Sequence, residues 1–133
     1  MLRLLPPLCW TGLIAYLGGE QWDGAHTAAW LGPLLRALLP AASAEALATI
    51  HRLIRKAAHV AEYAVLAQLW RRALGGAWAP LGLAVLTACL DELRQWFTPG
   101  RGASMADVLL DSAAAATAMC LGALRARHRG AAS

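Results

Sequence analysis

The chain has 133 residues, of which 59% are hydrophobic and only 15% charged, with a formal net charge of +4 and a mean hydropathy of +0.47. Soluble domains carry about 25% charged residues, so this balance argues against a soluble protein and for one small integral membrane domain covering residues 1–133. The basic residues, all arginine except Lys56, flank apolar runs instead of forming stripes with stacking aromatics, which points to phospholipid and away from nucleic acid as a partner. Cys9, Cys89 and Cys120 each stand alone in an apolar run, with no spacing suited to zinc, and are expected to be small buried side chains.

In chain order, Leu2 to Leu17 predicts a first membrane helix, short of the ~20 residues of a perpendicular span and irregular in its first turn at Pro6-Pro7. No small-x-small cleavage pattern follows it, so a signal peptide is not expected. From Gln21 to Arg52 the apolar residues are interrupted by Gly32, Pro33 and Pro40, which predicts an extramembrane segment. Within it a short interfacial helix is expected around Pro33 to Leu39, then a helix opening at Ser43 with Glu45 in its first turn.

Three further spans follow: Arg55 to Leu74, closed by Gly75-Gly76; Trp78 to Phe97, stopped by Thr98-Pro99-Gly100; and Ser104 to Leu124, stopped at Gly122 and a basic tail. Ser104 with Asp107 has the spacing of a capping box. The fold expected is therefore all-α, with about four transmembrane helices and a short interfacial segment between the first and second.

With four alternating spans, the amino terminus, the Arg71 to Trp78 turn and the carboxyl terminus share one side, which carries six arginines and no acid. The positive-inside rule makes that side cytoplasmic. The start of the second span, the end of the third and the start of the fourth must then meet at the outer side, and these are the polar ends. Lys56, His59, Glu62 and Tyr63 share one helix face; Asp91 and Gln95 are i, i+4; Ser104, Asp107 and Asp111 are i, i+3, i+7. A charge at a helix centre costs about 2.5 to 3.5 kcal/mol on insertion scales, so charges so concentrated should pair around a hydrated pocket.

Two readings fit each group. His59 and Glu62 suit an acid/base pair or an interfacial histidine satisfied by its neighbour. The carboxylates of Asp91, Glu92, Asp107 and Asp111 suit catalysis, a divalent cation held by hard oxygen ligands, or a salt-bridged network with Arg94 and Arg101. Arg101, in a Pro-Gly turn, suits a phosphate. Ser104 is explained by capping, and Tyr63, Trp96 and Phe97 by anchoring at the interface.

The blocks K-A-A-H-V-A-E-Y-A-V-L-A (Lys56 to Ala67), D-E-L-R-Q-W-F (Asp91 to Phe97), P-G-R (Pro99 to Arg101) and S-M-A-D-V (Ser104 to Val108) resemble those of the VanZ-like family, in its order and spacing, with core motifs over residues 56–122. Two positions depart from the pattern: Asp111 stands where the family has Asn, and Ala114 where it has Gly. The resemblance implies a multi-pass cell-membrane protein, an association with glycopeptide resistance at the outer surface, and a distant likeness to enzymes that exchange or hydrolyse lipid head groups at a phosphate.

Combined with the polar stripes, this gives an expected site. His59, Glu62, Asp91, Glu92 and Asp107 are the candidate catalytic groups. Lys56, Tyr63, Gln95, Arg101, Ser104 and Asp111 are the candidate binding groups for a membrane lipid, a lipid-linked glycan or a glycopeptide. A non-enzymatic membrane binder is the alternative. An ion or proton carrier fits less well, because the stretch from Arg71 to Thr87 offers only Thr87 as a polar step.

Overall fold

The computed structural model describes residues 2–98 and 102–130, and these are helical with no strand among them. A 3-10 turn, Leu2–Leu4, leads into α1 (Leu5–Leu17). Pro6 and Pro7 stand in the first turn of α1, where a missing N–H costs nothing, and the irregular start expected there is this 3-10 turn. Gly18 closes the helix, its N–H donating to the Ile14 carbonyl at 2.8 Å.

The next helix, α2 (Gly24–Leu38), begins well before the expected Pro33. Asp23 caps it, accepting from the His26 N–H at 2.7 Å, and that cap supplies a start the apolar pattern did not reveal. Pro33 lies inside the helix and forfeits one backbone bond without ending it.

Ser43 caps α3 (Ala44–Leu74) as expected, accepting from the Ala46 N–H at 3.2 Å. The opening helix and the following span are one continuous element of 31 residues, because nothing in H-R-L-I-R-K-A-A breaks a helix. At 1.5 Å per residue α3 is about 46 Å long, more than the ~30 Å of a bilayer core. Gly75 and Gly76, with φ of 72° and 65°, turn the chain into α4 (Trp78–Trp96). The last helix, α5 (Met105–Gly130), passes through Gly122 and takes in the basic tail; a lone Gly costs a helix only about 1 kcal/mol, and its Ala, Leu and Arg neighbours are strong helix formers.

Side-chain contacts give the directions. Lys56 meets Asp107, His59 faces Asp111, Gln68 donates to the Ala118 carbonyl and Arg71 lies over Gly122, so α3 and α5 run parallel. The end of α4 meets the start of α5 where Glu92 binds the Ser104 N–H, so these two are antiparallel. Against them lies α1, its Trp10 indole donating to the Glu62 carbonyl at 2.9 Å and its Gly18 against Asp91 and Arg94. Ala67, Ala84, Ala88 and Ala115 are fully buried where the helices cross, and such small residues let backbones approach closely.

Beside its apolar core the bundle buries polar side chains and exposes large apolar ones. Asp91, Glu92, Gln95 and Asp111 are buried, whereas Leu86, Leu90, Leu93, Leu109 and Leu121 face outwards with Trp96 and Phe97. Among the described residues one helix, Met105–His128, is long and apolar enough by itself to cross a membrane, and only 22% of its most apolar window is buried. The four expected spans are not all so marked: α1 is short, and the polar stripes of α3 and α4 dilute their hydropathy. Cys9, Cys89 and Cys120 are exposed, not buried as expected, because each sits on an outward apolar face.

Outside the bundle, α2 docks on the start of α3. The Thr27 hydroxyl donates to the Asp23 carbonyl at 2.7 Å and lies 3.0 Å from His51 Nε2, while Arg55 donates to it at 3.2 Å. Burial, then the Arg55 charge, holds the His51 pKa below its ordinary 6.5. The unfolded chain therefore takes up this proton more readily, so the contribution is complete above about pH 6.5 and is lost as pH falls through that value. Thermal unfolding in detergent is expected to show a larger loss between pH 7.5 and 5 for wild type than for His51→Gln; equal losses would remove His51 from the account.

Candidate functional site

Three helices bring their polar ends together in one recess of about 150 Å³, lined by Arg52, Lys56 and His59 of α3, Glu92 and Gln95 of α4, and Asp107 and Asp111 of α5, with Arg55 and Leu110 completing it. Helix direction places them at one end, and local caps set each stripe. The Ser104 hydroxyl accepts from the Asp107 N–H at 3.3 Å and starts α5. The second half of the expected capping box is replaced: the Ser104 N–H donates across to Glu92 Oε2 at 2.7 Å. That bond frees the Asp107 carboxylate, which accepts from Lys56 Nζ at 2.7 Å.

His59 is oriented by a different carboxylate from the one its own helix offers. Its Nδ1 lies 3.5 Å from Asp111 Oδ2, and no ion pair joins it to Glu62 among the described residues. Asp111 projects from the facing helix straight at the ring, whereas Glu62, one turn along α3, borders a neighbouring recess with Ile14, Leu17, Gly18 and Trp22. His59 and Arg55 border both recesses, so the imidazole stands between them.

The other carboxylates turn in different directions. Asp91 turns towards α1, where its two oxygens accept from Arg94 and Gln95, each at 2.8 Å. The ~100° between adjacent helix positions sends Glu92 to α5 instead. Among the described residues no three His, Cys, Asp or Glu side chains are grouped to hold a metal ion.

Tyr63 is not an interface anchor: it is 0% exposed in the centre of the core, with its hydroxyl in electrostatic reach of Asp91, Asp111, Glu62 and Glu92. Trp96 and Phe97, 67% and 76% exposed, do face outwards as anchors would. Arg101 lies outside the described residues.

Several buried polar atoms at this end have no hydrogen-bond partner among the described residues: the Tyr63 hydroxyl, His59 Nδ1 and Asp111 Oδ1. Such groups are ordinarily satisfied, by water or ligand if not by protein. The recess thus has an exposed cationic rim of Arg52 and Lys56 and a buried floor of Glu92 and Asp111 carrying unspent hydrogen-bonding capacity. Arg52 and Arg55 were absent from the expected site, although their i, i+3, i+7 spacing with His59 puts them on its face.

A family model described as VanZ/LLP1 matches residues 5–125, which extends the resemblance of the four blocks across most of the chain. Comparison with curated proteins and with solved structures gives no match.

The polar contacts are of unequal weight. Lys56 and Asp107, 52% and 35% exposed, form a solvated pair worth under about 1 kcal/mol. The buried Glu92 to Ser104 bond has a charged acceptor and is worth about 1.5–3 kcal/mol. Denaturant unfolding in detergent should therefore show Glu92→Ala losing about 2 kcal/mol and Asp107→Ala far less; the opposite order would mean that α4 and α5 are not joined through this bond.

Proposed function

The chain belongs to the VanZ/LLP1 family, and on that premise we propose that it is a multi-pass membrane enzyme whose polar recess acts on a phosphate-linked lipid or lipid-carried glycan by head-group hydrolysis or exchange. The observation that carries the reading is the recess itself, with cations at its rim and His59 against a buried carboxylate within. In the proposal α1, α4, α5 and the latter part of α3 cross the membrane alternately. Both termini are cytoplasmic with the Arg71 to Trp78 turn, and the recess opens at the outer face. Outward apolar side chains and the alternating helix directions support this topology.

Arg52, Arg55 and Lys56 draw the phosphate to the rim, with Arg101 as a further fork for its oxygens. His59 takes the proton of the attacking water or alcohol as its oxygen bonds to phosphorus, then returns it to the oxygen whose bond to phosphorus breaks. Asp111 orients the imidazole and balances its transient charge. Glu92, held by the Ser104 N–H, positions the attacking hydroxyl from the floor.

One observation favours a second reading, a non-enzymatic binder that sequesters a lipid-linked glycan or a glycopeptide at the outer surface. Asp91, Glu92 and Asp107 already have protein partners, as the members of a structural network would. Lipidomics of cells with and without the protein separates the two. The enzyme reading expects one lipid class to shift, and the shift to fall about a hundredfold or more in turnover with His59→Ala, while binding of that lipid persists. An unchanged lipid profile with Arg55→Ala weakening ligand capture would favour the binder.

A further inference from the structure

The opposite end of the α3/α5 pair holds a larger feature that the proposed chemistry does not use. An open-sided cleft of about 600 Å³ lies between the two helices, walled by apolar side chains that include Val65, Leu69 and Leu121. Its rim carries Arg71, Arg72 and Arg125. Gln68 ties the helices together beneath them by donating to the Ala118 carbonyl. Arg71 reaches across because residue 122 is glycine: a Cβ there would stand 2.9 Å from Arg71 Cζ and Nη2.

No carboxylate among the described residues pairs with these three guanidinium groups. The last acids of α3 and α5 are Glu62 and Asp111, both towards the other end. Two helix C-termini end here and account for part of the positive charge, but each carries only about half a negative charge. Against three arginines, a surplus of about two positive charges is left over an apolar cleft open to the side.

We propose that this cleft is a binding site for an anionic phospholipid, distinct from the polar recess. The phosphate sits under the Arg71 and Arg125 guanidinium groups, which match its oxygens as bidentate forks, and the acyl chains lie along Val65, Leu69 and Leu121. A free phosphate would use the rim and leave the apolar walls unfilled. The lipid joins α3 to α5 at the end remote from the Lys56 to Asp107 pair and so steadies the helix pair on which the recess is built.

The test is native mass spectrometry of the full chain in neutral maltoside, titrated with dioleoyl phosphatidylglycerol, dioleoyl phosphatidylcholine or inorganic phosphate. One phosphatidylglycerol is expected to bind saturably, with phosphatidylcholine and phosphate far weaker. Each arginine near a lipid head group contributes about fivefold in affinity, so Arg71→Gln with Arg125→Gln should weaken binding about twenty-five-fold. Gly122→Ala sets a Cβ 2.9 Å from the flexible ends of both Arg71 and Gln68 and should weaken binding about fivefold. Arg127→Gln, outside the cleft lining, should bind as wild type. Unchanged affinity in the double variant and in Gly122→Ala, or an equal loss with Arg127→Gln, overturns the site. Phosphate displacing the lipid at equal concentration overturns the lipid as its occupant.

Discussion

A carboxylate taken out of water must be paired or hydrogen-bonded, and the arrangement of this bundle follows from meeting that demand three times at one end. Asp91, Glu92 and Asp111 are all buried among apolar helices. Asp91 is satisfied by Arg94 and Gln95 on its own helix and presses against Gly18 of α1. Glu92 takes the first free N–H of α5, and Asp111 faces the His59 ring of α3. Since each solution lies in a different direction from α4 or α5, the other helices are drawn around them.

The same demand explains why the surface is apolar. With the polar stripes turned inward, Leu, Trp and Phe residues are left facing out, an arrangement unfavourable in water and suited to lipid. The exposed thiols of Cys9, Cys89 and Cys120 belong to that surface. Close packing of Ala67, Ala84, Ala88 and Ala115 lets the helices approach one another around the buried Ile14, Tyr63, Leu66 and Trp70.

The parallel pairing of α3 and α5 gives the molecule two unlike ends. At one, cations and carboxylates alternate and largely neutralise each other around a small recess. At the other, arginines gather over an apolar cleft with no acid nearby. A phosphate-bearing molecule is attracted to both, but only the first places an imidazole and buried carboxylates beside it.

Much of this was legible in the chain. The Ser43 and Ser104 caps, the glycine turn after Leu74 and the three polar stripes are local features, set by backbone hydrogen bonding and by the period of the helix. Helix direction then required the stripes to meet at one end, and the blocks from Lys56 to Val108 carried the family. What the sequence did not decide was rotation of each helix about its axis, which depends on how the small buried residues pack. That rotation gave His59 to Asp111 instead of Glu62, turned Asp91 to α1 and sank Tyr63 into the core. It also brought Arg71 onto Gly122, a contact between residues about fifty apart whose meeting no local pattern encodes.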